Sequence, residues 1–305
     1  MALKDTGASV LVVDNLSTGF RENLHYGDCV VLDLADRDRL NRCFHDFKPD
    51  AVLHIAGSIV VPESVRDPIT YYYNNTMNSL NVIDACLNNR IGHFLFSSTA
   101  AVYGIPPEGI CAESAPLCPI NPYGHTKAMT ERMLADTAEA SSLRYVALRY
   151  FNVAGAHPSL QLGQRMPDAP HLIKIIAQVI TQKRASLSVF GTDYPTPDGT
   201  CIRDYIHVCD LADAHVRALD WLLSGGKSLT LNCGYSRGFS VNEVIKTAED
   251  LYGPFPVTAA DRRPGDPPQL IANADRIRST LNWTPRYDGL SRIIQSAVEF
   301  EKSLL

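Results

Sequence analysis

The amino-acid sequence contains no apolar run that approaches the ~18 residues of a membrane-spanning helix. Residues 1–6 lack the charged, apolar and small-residue regions of a secretory signal peptide. No cluster of Lys and Arg stands out, and 33 acidic residues outnumber 28 basic ones, so the chain has little electrostatic attraction for nucleic acid. We therefore expect a cytoplasmic protein whose partners are neither membranes nor nucleic acids.

The eight cysteines lack the C-x-x-C spacing that marks zinc and redox sites, so we predict no metal centre. Several of them lie inside apolar runs, which is typical of reduced, mostly buried thiols. The chain has 45% hydrophobic and 20% charged residues, a composition that folds around a sizeable core. Its 305 residues exceed the usual length of one simple domain, so we expect two domains.

Short apolar segments alternate with segments of helical periodicity in the first half of the chain. The predicted strands cover residues 9–13, 30–32, 51–55, 93–97 and 144–149, and the predicted helices cover residues 37–47, 70–88 and 122–140. In the second helix the shared apolar side is predicted to consist of Met77, Leu80, Ile83 and Leu87. This alternation predicts an α/β fold with a Rossmann-type, doubly wound parallel sheet, in which ligands bind beyond the carboxyl ends of the strands.

The pattern changes after about residue 153, where a loop rich in Gly, Pro and His begins. A helix over residues 172–182 and short strands over residues 187–190 and 229–232 predict a second, smaller α/β domain. Residues 253–268 are rich in Pro and Gly and show no periodicity, which is typical of a binding loop. We therefore predict one domain over residues 1–153 and another mainly over residues 154–305, with later segments returning to the first.

The first candidate functional residue is Asp14, which directly follows a predicted buried strand. A carboxylate at this point can accept hydrogen bonds from both ribose hydroxyls of an adenine dinucleotide and would repel a 2′-phosphate. Asp14 therefore favours NAD over NADP. The structural alternative is an aspartate that only caps the turn after the strand.

The second candidate lies at Tyr123 and Lys127, which share one face of a helix that Asn121 can cap and Pro122 can start. A cation one turn away favours the phenolate and can bring a tyrosine into the working range of a base. A predicted strand upstream ends in Ser97, Ser98 and Thr99, whose hydroxyls could pass a proton. The alternative is an ordinary exposed i,i+4 pair, but the serine-rich strand end favours the catalytic interpretation.

Eight motifs, of which three contain these residues, follow one another along the chain. They are DNLS at 14–17, LHIAG at 53–57, SSTAAVYG at 97–104, NPYGHTK at 121–127, LRYFN at 148–152, FGTDY at 190–194, RDYIHV at 203–208 and RPGD at 263–266. With them the sequence resembles the UDP-glucose 4-epimerases, extended short-chain dehydrogenase/reductases, from about residue 2 to the end. The resemblance implies a Rossmann domain that holds NAD, a smaller domain that closes over a UDP-sugar, and a homodimer.

The resemblance also implies a role for each matching residue. Tyr123 is expected to take the proton of the sugar 4-hydroxyl, Lys127 to anchor the nicotinamide ribose and lower the tyrosine pKa, and Thr99 to assist proton movement. The 4-keto sugar then rotates and takes the hydride back on its other face. The remaining implied contacts are Asp14, Asn15, Thr18, Asp33, Leu34, Ile55, Ala56, Ser97, Lys127 and Phe151 for NAD, and Asn75, Asn152, His171, Leu172, Phe190, Arg203, Tyr205, Arg263 and Asp266 for the UDP-sugar.

The sequence departs from the family pattern in three places. Ile59 replaces a lysine near the NAD diphosphate, and His171 replaces an asparagine in the uracil loop but can still donate. The first strand and glycine-rich turn that bind the pyrophosphate are not present, a difference of roughly 20 residues. We expect either a start that is internal to a longer reading frame, which we favour, or a truncated product that expresses poorly and holds little NAD.

Four other functions are considered at this point. A 4,6-dehydratase needs an acid and a base after the strand-end Thr, where this chain has Ala100 and Ala101, so the epimerase interpretation is favoured. A UDP-sugar decarboxylase is disfavoured less strongly, because recognition of an acid sugar cannot be read from this sequence. Another NDP-sugar epimerase of the same family stays open. A non-catalytic, truncated nucleotide-sugar-binding protein is favoured only by the N-terminal difference.

Overall fold

The computed structural model describes residues 1–263 and 265–305, so Pro264 of the RPGD motif lies outside the described residues. The chain forms two compact units. The first contains Met1–Val102, Pro119–Arg149 and Asp213–Leu231, and the second contains Tyr103–Cys118, Tyr150–Ala212 and Asn232–Leu305. Along the sequence the chain passes from one unit to the other at residues 103, 119, 150, 213 and 232. The division into domains over residues 1–153 and 154–305 stays a prediction.

The two units are built from strands and helices in an α/β arrangement, as the sequence predicts. The strands are β1 (Leu11–Asp14), β2 (Asp28–Val31), β3 (Val52–His54), β4 (His93–Thr99), β5 (Ile110–Cys111), β6 (Arg144–Tyr150), β7 (Asn152–Ala154), β8 (Leu187–Phe190), β9 (Ile202–His207), β10 (Leu229–Cys233), β11 (Gly238–Ser240), β12 (Val257–Ala260) and β13 (Gln269–Ala272). The helices are α1 (Arg37–Phe47), α2 (Val61–Arg66), α3 (Pro68–Tyr71), α4 (Asn78–Asn88), α5 (Pro122–Ala140), α6 (Leu172–Ile180), α7 (Val208–Leu223), α8 (Val241–Tyr252), α9 (Asp275–Leu281) and α10 (Leu290–Lys302).

The sheet of the first unit is in two pieces. One piece is the parallel pair β1–β2, and the other has the strand order β10-β6-β4-β3. In the described part of the chain no strand joins β1 to β3. The polar strand ends Asp14 and Thr99 therefore lie on different pieces.

The core of the first unit lies between the sheet and the helices α1, α4 and α5. Phe94 and Phe96 of β4 are fully buried there, together with Leu40 of α1 and Leu134 of α5. Complete burial of such a side chain stabilises the fold by roughly 1.5–3 kcal/mol. The core therefore fixes β4 and α5, the two elements that carry the predicted catalytic residues.

The bounds of α1 and α5 confirm two predicted helices, whereas the predicted helix over residues 70–88 is interrupted. A wide helical turn, Tyr72–Met77, separates α3 from α4. The predicted apolar face is also wrong, because Met77, Leu80 and Leu87 are 41–45% exposed and only Ile83 of the four is buried. Helix α4 carries apolar residues on two sides, and the side that also carries its small residues packs against the core.

The second unit contains two further sheets. One has the strand order β11-β9-β13-β5, with β7 also paired to β9, and the other is the parallel pair β8–β12. Strand β12 lies inside residues 253–268, for which the sequence predicts an irregular loop, so that prediction is wrong for four residues. Val257 to Ala260 are held as a strand by β8 rather than by a periodic pattern of their own.

Buried ion pairs occur in both units. In the second unit Lys174 donates to Glu301 (2.5 Å), and both side chains are at most 5% exposed.

All eight cysteines are free thiols. Only four of them are buried, so the prediction that most of the thiols are buried is wrong. Among the described residues, no helix combines the length and the hydropathy needed to cross a bilayer.

Candidate active site

Helix α5 places Tyr123 and Lys127 in the interior of the first unit. The Asn121 side chain accepts a hydrogen bond from the Gly124 amide (2.8 Å) and Pro122 starts the helix, as the sequence predicts. A Cβ atom on Gly124 would lie 2.6 Å from the carbonyl oxygen of Ala101, so only glycine lets the helix approach the turn after β4 this closely. The approach brings the start of α5 next to the end of β4.

Lys127 is a buried cation. Its Nζ donates to the carbonyl oxygen of Ser97 (2.9 Å) and lies 4.9 Å from the ring centre of Phe96. Burial lowers the pKa of Lys127 to about 8, and the negative charge of Glu131 opposes this change. At neutral pH the lysine therefore still carries a positive charge one helical turn from Tyr123.

The three hydroxyls at the end of β4 differ in their partners. Ser97 Oγ lies 3.0 Å from Nε2 of His215, and Ser98 Oγ donates to Glu131 (2.5 Å). Thr99 Oγ1 accepts a hydrogen bond from the Ala101 amide (3.2 Å), so its own proton can still be donated. Thr99 is therefore the hydroxyl best suited to proton movement at this strand end.

Two carboxylates and an amide meet at the ends of β1 and β2. Asn15 Nδ2 donates to Asp33 Oδ2 (2.9 Å), and Asp33 Oδ1 accepts from the Ala35 amide (2.9 Å). The hydrogen bond from Ala35 and then that from Asn15 lower the pKa of Asp33. Asp14 Oδ1 accepts from the Leu16 amide (2.7 Å), so the turn-capping alternative is also realised in the structure. Oδ2 of Asp14 is therefore the oxygen that could accept a hydrogen bond from a ribose hydroxyl.

The segment after β3 contains Ile55 and Ala56, both exposed, followed by Gly57. Gly57 has φ of 152°, and a Cβ atom there would lie 3.0 Å from Asn75 Oδ1 and 3.6 Å from Lys127 Nζ. Asn75 accepts from the Ser58 amide (2.7 Å) and donates to Thr126 Oγ1 (3.1 Å). Asn75, predicted on the UDP-sugar side, thus lies in the first unit and ties this turn to α5.

A recess in the second unit brings together four residues predicted to bind the UDP-sugar. Its lining includes Asn152, His171, Leu172 and Tyr205, and Asn152 pairs with Tyr205 in the register of β7 and β9. Nδ1 of His171 lies 2.7 Å from Nε2 of Gln164, and burial lowers the histidine pKa. The neutral imidazole accepts on Nδ1 and keeps an N–H donor on Nε2.

Two arginines of the second unit also match the predicted UDP-sugar residues. Arg203 Nη2 lies 3.6 Å from Asp266 Oδ1. The guanidinium carbon of Arg263 lies over the ring of Phe190, 3.8 Å from the ring centre. Planar guanidinium groups of this kind suit a diphosphate. The remaining predicted cofactor residues divide between the units, with Thr18 and Leu34 in the first and Phe151 in the second.

Sequence reasoning missed three residues near the catalytic set: His54, His215 and Glu131. His54 Nε2 lies 2.8 Å from Ser79 Oγ, and burial, followed by the charge of Lys127, lowers its pKa to about 3, so it is neutral. Glu131 follows Lys127 by four residues on α5, which is the one local signal that could have identified it. His54 and His215 have no such spacing.

The sequence model of the NAD dependent epimerase/dehydratase family matches residues 1–234. The chain belongs to this family. It is 55% identical over 305 residues to the UDP-glucose 4-epimerase of Azospirillum brasilense, with 99% of this chain and 88% of that relative covered. Such relatives place the chain among the epimerases of the family.

Solved structures of UDP-glucose 4-epimerases are also similar to this chain. The UDP-glucose 4-epimerase of Brucella ovis in complex with NAD has a TM-score of 0.94 and 43% identity, with 97% of this chain and 92% of that chain covered. The enzyme of Bifidobacterium longum in complex with NAD+ and UDP has a TM-score of 0.93 and 35% identity, with 99% and 93% covered. The Rossmann-type α/β fold is therefore confirmed.

The residues of the first unit fit the NAD that the family name implies. Asp14 offers a carboxylate oxygen at a strand end for the adenosine ribose, and Lys127 offers a buried cation for the nicotinamide ribose. The compact turn at Gly57, with its positive φ, leaves the backbone beside Lys127 without a side chain. These groups suit the two ends of a dinucleotide.

Proposed function

We propose that this NAD-dependent enzyme interconverts UDP-glucose and UDP-galactose by inverting the configuration at C4 of the sugar. The observation that carries the proposal is the buried lysine one turn after Tyr123, with the Thr99 hydroxyl at the adjoining strand end. The relatives named UDP-glucose 4-epimerase support the same reaction. Purified protein supplied with NAD and UDP-galactose should form UDP-glucose, and a complete lack of product would reject the proposal.

Each catalytic residue has a distinct task in this reaction. Tyr123, as the phenolate, takes the proton of the 4-hydroxyl, while the positive charge of Lys127 stabilises the phenolate and lowers its pKa. Thr99 donates or accepts a proton beside the tyrosine. NAD, when bound, supplies the hydride acceptor. Because Tyr123 and Lys127 are at most 7% exposed, little water competes for the proton.

The second unit supplies recognition of the UDP-sugar in this proposal. The two guanidinium groups of Arg203 and Arg263 bind the diphosphate, and His171 donates from Nε2 to the uracil. Attachment through the diphosphate leaves the sugar able to rotate between oxidation and reduction. With NAD bound at the first unit, a 4-keto sugar that rotated in this way would offer its other face for reduction, and C4 would be inverted.

The turn after β4 favours epimerisation over 4,6-dehydration. Thr99 is followed by Ala100 and Ala101 in the helical turn Ala100–Tyr103. Methyl groups at these two positions cannot supply the acid and base that removal of the 6-hydroxyl requires. These two residues of the turn therefore give no support to removal of the 6-hydroxyl.

The cofactor preference gives a prediction about Asp14. NADP should bind at least about tenfold more weakly than NAD, because the 2′-phosphate would lie next to the Asp14 carboxylate. In the D14N variant this difference should shrink, since the repulsion is removed. The control is D28N, which removes an exposed carboxylate at the opposite end of the neighbouring strand. Titration of both cofactors measures the preference, and equal binding to the unaltered protein would show that Asp14 points elsewhere.

The exposed side of α4 supports the homodimer that the resemblance implies. Leu80 and Leu87 of α4 are 42% and 41% exposed, and Met77 and Tyr73 of the preceding turn are 45% and 66% exposed. An apolar stripe of this kind is typical of a protein–protein contact. The double variant L80K/L87K should sediment as a monomer while the unaltered chain sediments as a dimer, and a monomeric unaltered chain would reject the dimer.

We also propose a cytoplasmic location, because eight free cysteines suit a reducing compartment.

A further inference from the structure

The catalytic face of α5 extends one turn beyond Lys127. Tyr123, Lys127 and Glu131 follow one another at intervals of four residues, so they lie along one side of the helix. All three side chains are buried, and Glu131 is 6% exposed. A carboxylate at this depth needs a partner, because an unpaired buried charge is costly.

Glu131 links α5 to two neighbouring strands. Its Oε1 accepts from Ser98 Oγ (2.5 Å) on β4 and from Arg149 Nε (2.9 Å) on β6. Its Oε2 accepts from Arg149 Nη2 (2.6 Å), which completes a paired contact. Ser98 immediately precedes Thr99, so one carboxylate fixes the helix of Tyr123 against the strand of Thr99.

We propose that Glu131 is a positioning residue that acts through Lys127: it fixes the catalytic turn of α5 and holds the lysine in its charged form. The inference rests on the epimerase function proposed above. Glu131 is 6% exposed and its oxygens are engaged by Ser98 and Arg149, so its role is indirect. It would set how well Lys127 stabilises the Tyr123 phenolate.

Apart from the Tyr123 phenolate, the charged groups that the structure describes around Lys127 leave Glu131 as the source of stabilising negative charge. His54 on β3 is neutral because burial lowers its pKa to about 3. Ser97 on β4 contributes a carbonyl oxygen, and His215 of α7 contacts the Ser97 hydroxyl. Asn75 and Thr126 are uncharged, and Arg149, the partner of Glu131, opposes part of its effect.

The direction of the effect on Lys127 follows from these charges. Burial favours the neutral lysine and brings its pKa to about 8, and Glu131 acts in the opposite direction. Loss of the Glu131 charge should therefore lower this pKa further. Activity that needs the lysine cation would then be lost at a lower pH than in the unaltered enzyme.

A purely structural role would not require a carboxylate here. A buried ion pair usually adds little stability over well-packed apolar side chains of similar volume. The double variant E131M/R149M should therefore fold while it lacks both charges. This double variant therefore distinguishes an effect of lost stability from an effect of lost charge on Lys127.

The test measures the Lys127 pKa directly, so it does not depend on epimerase activity. The chain has only eight lysines, and NMR of protein labelled with ¹³C at lysine Cε can follow them, with K127M used for assignment. In E131Q the titration midpoint of Lys127 should fall by roughly half a unit to one unit. The midpoint should also fall in E131M/R149M, whereas E131D, which keeps the charge, should retain it.

The control is E301Q, which removes the carboxylate of the buried Lys174–Glu301 pair in the second unit. It should lose stability without any change in the Lys127 titration. The alkaline limb of the kcat profile should move with the NMR midpoint in every variant. An unchanged Lys127 midpoint in both E131Q and E131M/R149M would overturn the inference, even if the unaltered chain epimerises UDP-galactose. Absence of epimerisation with a shifted midpoint would instead reject the proposed function and leave the charge effect intact.

Discussion

Replacement of Tyr123 by Phe should lower kcat for the proposed epimerisation by at least ~10²-fold, the low end of the contribution of a positioned acid–base group. The phenyl ring fills the same buried space but cannot take the proton of the sugar hydroxyl. Lys127 keeps its hydrogen bond to Ser97, so the variant should still bind NAD. The KM for the UDP-sugar should change much less than kcat, since the contacts proposed for UDP lie in the second unit.

The measurement for Y123F is steady-state turnover of UDP-galactose together with the amount of NAD bound per chain. The matched control is Y252F on α8, where a tyrosine also has a lysine near its ring, with Lys302 Nζ at 5.4 Å. Y252F should keep normal turnover. Near-normal turnover of Y123F with full NAD would show that another group removes the proton.

Replacement of Arg149 by Met should lower the free energy of unfolding by about 3–5 kcal/mol, the usual result of leaving one member of a buried ion pair without its partner. Arg149 and Glu131 are each only 6% exposed, so water cannot replace the lost contact. This is a large fraction of the ~5–15 kcal/mol by which a domain is stable. Urea unfolding curves of the two proteins measure the difference.

Two further variants show whether the loss comes from the unpaired charge. R132M removes an arginine of the same helix whose ion pair with Asp136 is exposed, so it should cost less than ~1 kcal/mol. E131M/R149M should regain most of the stability lost in R149M, because no buried charge remains. If R149M is as stable as R132M, the Glu131–Arg149 pair does not hold α5 in place.

Helix α5 shows how far local sequence signals extend. Asn121 caps the helix and Pro122 starts it, so its first residue and the shared face of Tyr123 and Lys127 can be predicted from the sequence. The ends of β1 and β4 are similarly predictable, because an apolar run stops at Asp14 in one case and in hydroxyl residues in the other. Burial was predicted correctly only for β4, since the residues of β1 are all partly exposed. Local chemistry sets these positions.

The apolar face of α4 could not be predicted in the same way. The helix carries apolar residues on two sides, and periodicity does not show which side packs inside the chain. Leu80 and Leu87 match a helical stripe as well as Val82 and Cys86 do, yet only the latter pair is buried. Strand β12 was missed for a related reason, since four residues become a strand through their pairing with β8.

The partners of the site residues also depend on contacts distant in sequence. Asn75, which is predicted to contact the UDP-sugar, has a side chain that forms hydrogen bonds with Ser58 and Thr126, 17 and 51 residues away. The pairing of Glu131 with Ser98 and Arg149 is another such case. Sequence spacing identifies residues that could react, whereas packing decides which of them are charged and held in place.

Conversion of UDP-galactose to UDP-glucose in deuterium oxide, followed by proton NMR, tests the proposed reaction at C4 most directly. In the proposed mechanism Tyr123 exchanges only the hydroxyl proton, and the hydrogen on C4 leaves and returns as hydride. The UDP-glucose formed should therefore keep protium at C4. Deuterium at C4 would mean that this hydrogen exchanges with solvent as a proton, which would contradict the roles assigned to NAD and Tyr123.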